Sequence, residues 1–108
     1  MDTKFETKEQ FHLQDALNYV RGEVEFRTIM SSHNGSVDLV AISKDSELRE
    51  HAAPEDVLVY VIEGEVDFHI SESVQRLNAG DSLLLEKGTL HSVRPFKDSK
   101  IMLVKIRP

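Results

Sequence analysis

From Glu23 onward, polar and apolar residues alternate with a period of two, and turn residues interrupt the alternation at short intervals. Successive side chains of a strand point to opposite faces, so this pattern predicts strands with one face in a core and one toward water. In residues 23–30, Val24, Phe26, Thr28 and Met30 share one face, and Glu23, Glu25 and Arg27 take the other. Asn34-Gly35 then supplies the positive φ angles of a tight hairpin, and residues 36–43 return as a second strand. Residues 44–50 read as a charged connection, after which His51 opens another strand. Residues 57–62 are apolar on both parities and predict a strand covered on both faces. In residues 65–70, Val66, Phe68 and Ile70 point inward and Glu65, Asp67 and His69 outward. Residues 82–85, 91–95 and 101–106 complete the series, with turns at Ala79-Gly80-Asp81 and Glu86-Lys87-Gly88. About eight such strands predict an all-β sandwich or barrel.

The first 22 residues differ. Leu13, Ala16, Leu17 and Val20 fall at the i, i+3, i+4, i+7 spacing of one helical face, and Gly22 is a stop signal. The expected organisation is therefore an N-terminal extension over 1–22 carrying one short helix, followed by a barrel over 23–108, in a single domain. The length of 108 residues suits one core. The net charge of −6 repels phosphate backbones and anionic lipid, which argues against nucleic acid and membrane surfaces as partners. No cysteine is present, which excludes disulfides, thiolate zinc sites and a cysteine nucleophile and suits a reducing compartment. No apolar run serves as a signal-peptide core or spans a bilayer, so a cytoplasmic location is expected. The G-x-S-x-G elbow, the phosphate-binding glycine loop and the His-Glu-x-x-His helix are all missing from the chain.

Two segments carry an ordered glycine and histidine pattern. In the second, Gly80 is followed by five residues, then Glu86-Lys87-Gly88, two residues, and His91. In the first, His51 is followed by Ala53 two positions on, three residues, Val57, six residues, and Gly64. Fifteen residues separate Gly64 from Gly80. This arrangement resembles the paired signatures of the cupin superfamily, with Glu86 in place of the proline of the second motif. The resemblance covers roughly residues 24–106 and implies a double-stranded β-helix, or jelly-roll barrel. It also implies that His51 and His91 face one cavity from different strands. In metal-binding cupins three histidines and a glutamate converge there; in this chain the second histidine position holds Ala53 and the glutamate position holds Val57.

The resulting expectation is a degenerate metal site. His51 and His91 alone would hold either no cofactor or a weakly bound divalent metal, with no preference legible among Zn, Ni, Fe and Mn. Glu55 and Asp56 lie near the lost carboxylate position, but Asp56 has the wrong parity for the interior. His12, His33, His69 and Arg94 are expected outside. The interior is expected to be apolar with few polar groups, lined by His51, His91, Val59, Phe68 and Ser82, and so suited to a small organic ligand. Three functions compete: a small-molecule-binding protein; a metal-dependent enzyme of oxygenase or isomerase type using His51 and His91; and a structural dimer module with a vestigial pocket. Leu58, Tyr60 and Ile62, on the parity opposite to Val57, Val59 and Val61, also need cover, which points to a homodimer.

Overall fold

The computed structural model describes residues Met1–Pro108. Nine strands follow one another: β1 (Val24–Ser32), β2 (Gly35–Ile42), β3 (Leu48–His51), β4 (Asp56–Glu63), β5 (Glu65–Ile70), β6 (Ser73–Asn78), β7 (Ser82–Leu85), β8 (His91–Pro95) and β9 (Ser99–Ile106). They form two antiparallel sheets, ordered β1-β2-β9-β4-β7 and β3-β8-β5-β6. The two inner faces pack together as a jelly-roll sandwich. No helix is long and apolar enough to cross a membrane.

The parities predicted for the central strands hold. Val40, Ile42, Val59, Val61, Ile101, Val66, Phe68 and Val93 are almost fully buried between the sheets. Register explains the convergence: Val59 pairs with Leu83 on one side and Leu103 on the other, and Val61 pairs with Ile101, so like parities line up across three strands.

Four expectations are corrected. The helical stripe of the extension condenses to a three-residue 3-10 turn, Leu13–Asp15. Carbonyls that a longer helix would use internally are taken by sheet side chains: Arg27 donates to Ala16 O at 2.7 Å, and Lys100 Nζ donates to Gln14 O. Tyr19 Oη completes the clamp with a 2.7 Å bond to Glu63, and burial followed by that carboxylate pushes its pKa upward. The segment thus lies as a strap, with Ala16 buried at its centre. Second, Met30 leaves the face of Val24, Phe26 and Thr28, because a register shift between Thr28 and Met30 adds one residue to β1 and inverts parity beyond it. Third, His51 ends β3 instead of opening a strand, since pairing with β8 begins at Leu48 within the expected charged connection. Fourth, β6 had no sequence counterpart. It is an edge strand whose residues are exposed except for Leu77, so no apolar alternation announces it.

Candidate functional site

His51 and His91 are directly opposed across the β3–β8 ladder. From Leu48 to His51 the chain advances three residues while its partner moves only two, from Val93 to His91. That extra residue places His51 on the same face as Leu48, which packs on the core. The two imidazole centroids lie 4.4 Å apart at 54°. His91 is buried, and its ring lies nearly parallel to that of Phe68 at 6.1 Å and 16°; His51 stands exposed at the mouth.

Both rings are held in the same way. His51 Nδ1 donates to Arg49 O at 2.8 Å, and His91 Nδ1 donates to Thr89 O at 2.9 Å. A carbonyl only accepts, so Nδ1 carries the hydrogen in each ring, and in the neutral imidazole Nε2 keeps its lone pair. The pair therefore presents two acceptors, ready for hydrogen-bond donors or for a Lewis acid. The pKa of His91 lies below the ordinary histidine value. Burial is the main cause and the neighbouring His51 adds to it, against an upward pull from the Thr89 carbonyl.

This shift has a defined sign in stability. An unfolded His91 takes up a proton near pH 6.5, whereas the folded one does so only at lower pH. Between those values the unfolded chain binds more protons, so stability falls as pH drops through the window. Urea unfolding at about pH 7 and about pH 5.5 should show a smaller acid loss in His91→Phe than in the unaltered chain. Equal losses in both would remove His91 as the cause.

The histidines line a cavity of about 230 Å³ between the sheets. Since one water occupies about 30 Å³ of liquid, this is room for a small organic molecule. Val59 and Phe68 form its inner wall together with Ile101 and Leu103, and Phe26 and Glu55 stand at its rim. Ser82 is corrected: it lies exposed at the start of β7, pairs with Tyr60 on the outward parity, and does not line the cavity. Ala53 and Val57 both line the cavity and bring no donor atom. Asp56 is exposed, and its carboxylate caps the Lys87 N–H at 2.9 Å. His33 is exposed in the β1–β2 turn, His12 bonds Gln14, and Arg94 is exposed and paired with Glu47. No group of three or more His, Cys, Asp and Glu side chains is gathered to hold a metal ion. The family's four-ligand metal shell is therefore not matched by the residues present: the cavity holds two imidazoles, and Glu55 brings a carboxylate to its rim.

Two polar residues of the cavity region escaped the sequence reading. Lys105 lines the wall facing the histidines, and Asp38 is buried beside it with its carboxylate 3.1 Å from the ammonium. Their signal was parity: Lys105 shares that of Ile101 and Leu103, and Asp38 that of Val40 and Ile42.

A search of curated proteins finds no match. Among solved structures, a conserved protein of unknown function from Streptococcus pyogenes superposes with a TM-score of 0.90 at 18% identity, over 100% of this chain and 96% of that one. A cupin superfamily protein from Desulfitobacterium hafniense gives 0.89 at 14% identity, over 95% and 94%. A cupin 2 conserved barrel domain protein from Leptotrichia buccalis gives 0.84 at 23%, over 90% of this chain and 47% of that one. At these identities the likeness is one of fold. The family model described as the cupin domain matches residues 38–104, a stretch that runs from Asp38 through both histidines to Val104, and on that match the chain belongs to the cupin domain family.

Proposed function

We propose that this protein binds a small organic molecule inside the barrel, with the Nε2 atoms of His51 and His91 accepting hydrogen bonds from it. The observation that supports this most is the convergence of two lone-pair acceptors, both fixed by backbone carbonyls, on a largely apolar cavity. An apolar wall supplies burial, and a few oriented polar groups supply selectivity.

The runner-up is a metal-dependent enzyme of oxygenase or isomerase type. The same two lone pairs favour it, because neutral Nε2 is a good ligand to divalent metals. Two ligands hold such an ion weakly, so binding of organic molecules is expected to survive dialysis against chelator. The check is a thermal-shift screen of small apolar compounds carrying hydroxyl or amide donors, on protein purified without a metal-affinity tag. Stabilisation seen only after adding metal would favour the enzyme, as would one tightly held ion per chain after chelator treatment.

We also infer a homodimer. The strap is held against the five-stranded sheet through Arg27, Lys100 and Glu63, but the strip formed by Leu58, Leu84, Val104 and Ile106 has no cover; Leu84 is 78% exposed and Ile106 60%. Apolar surface of this kind marks an interface, and an ordinary one buries roughly 1,200–2,000 Å². Leu84→Asp, which would place an unpaired charge in that contact, should give monomers by light scattering. A monomeric unaltered chain at micromolar concentration would contradict the assignment.

A further inference from the structure

The Lys105–Asp38 pair sets a charge inside a barrel whose other inward positions on β9, Ile101 and Leu103, are apolar. Asp38 is saturated: Thr28 Oγ1 donates to Oδ1 at 2.7 Å, Ser36 Oγ donates to Oδ2 at 3.1 Å, and the Lys105 ammonium approaches Oδ2 at 3.1 Å. Three donors occupy most of the lone pairs of a carboxylate, so Asp38 has little left to offer a ligand. Lys105 differs. Its ammonium carries three donors, Asp38 is its one protein partner, and the side chain lines the cavity and keeps 26% exposure overall. The carboxylate thus works as a backstop that fixes the ammonium while leaving donors free. Sealing the barrel alone would need no such group, because an apolar side chain continuing the Ile101–Leu103 row would do it without the cost of desolvating a charge.

The cavity is therefore polarised. The four-stranded sheet contributes acceptors, His51 and His91, and the five-stranded sheet contributes a cationic donor. Building on the cavity-binding proposal above, we propose that the ligand is a small organic monocarboxylate with an apolar body, its carboxylate on Lys105 and a hydroxyl donor toward the histidines. A doubly charged group such as a phosphate ester fits poorly, because Lys105 is already paired with Asp38, Glu55 adds negative charge at the rim, and the chain as a whole carries −6.

The test is calorimetric titration of the full-length chain at neutral pH with 4-hydroxybenzoate, the longer 3-(4-hydroxyphenyl)propanoate, and the uncharged amide of each. Charge-assisted hydrogen bonds are roughly twice as strong as neutral ones, so at least one acid should bind about tenfold or more tightly than its amide. Lys105→Met should abolish that preference by weakening the acid far more than the amide, and Lys105→Arg should restore it. Lys105→Met leaves a buried carboxylate unpaired and risks misfolding, so Lys105→Met combined with Asp38→Asn, which removes both charges at similar volume, provides the second variant. Equal affinity for acid and amide, or a preference that persists in the double variant, overturns the assignment of Lys105 and leaves the cavity proposal standing. Failure of every acid and every amide to bind overturns both.

Discussion

Replacing Gly64 with alanine should lower stability by about 3–5 kcal/mol. Gly64 joins β4 to β5, where the chain passes from one sheet to the other, and its φ is +94°. A side chain costs energy there on two counts. The backbone conformation is one that L-residues rarely adopt. A Cβ would also run into the Asp98 carbonyl and into Ser99, which is fully buried and whose hydroxyl accepts the Glu65 N–H at 2.9 Å. Backbone on one side and a committed hydroxyl on the other leave nothing that can yield cheaply. Gly80 is the internal control: its φ is also +94°, but an added Cβ meets nothing within 4 Å. Gly80→Ala should therefore carry the conformational cost alone, about 1 kcal/mol. In melting temperature the Gly64 change should cost about 15 °C or more, and the Gly80 change about 5 °C. If thermal melts showed similar losses for the two variants, close packing at Gly64 would not be the cause.

Phe68→Ala should cost about 3–5 kcal/mol as well, through a different mechanism. Phe68 is 1% exposed, and its ring fills the centre of the sandwich from β5, opposite Val59 and Ile101 and beside the His91 imidazole. Truncation removes apolar contacts and leaves a void that stiff neighbouring strands cannot collapse into. Phe68 also lines the cavity, so the void should merge with it and widen the space for ligand. Phe68→Leu, which keeps most of the volume, should cost a fraction of this. Urea denaturation checks the prediction through a lower midpoint at an unchanged slope. A loss below about 1 kcal/mol for Phe68→Ala would mean that the ring is not packed as described.

What could be read from the sequence, and what could not, divides along one physical line. Period-two patterning is local, and it located β4, β5, β7 and β8 within a residue or so; the glycines at 64, 80 and 88 marked turns because all three adopt positive φ. The placement of His51 and His91 in one cavity came from motif spacing, since nothing local distinguishes either from an ordinary strand-end histidine. Register shifts were invisible. The extra residue in β1 turns Met30 outward, and the one in β3 turns His51 inward; both depend on what the partner strand does. The strap was misjudged because its apolar spacing is helical, whereas its carbonyls are claimed by Arg27 and Lys100 from the sheet. Lys105 and Asp38 were missed because charged residues are ordinarily assigned to the surface, and their pairing across β2 and β9 is tertiary. Ser82 was expected in the wall as a polar contributor, but its parity is that of Tyr60 and turns it outward.

The most direct measurement is a long-range proton–nitrogen correlation spectrum of the imidazoles in chelator-treated protein, recorded with and without a small hydroxylated aromatic compound. Two free Nε2 acceptors on one cavity predict that both His51 and His91 show the Nδ1–H tautomer at neutral pH. On addition of compound the two Nε2 resonances should move together, while those of His12, His33 and His69 stay in place. Nε2-protonated rings, or a compound that binds without shifting either cavity histidine, would contradict the site described here.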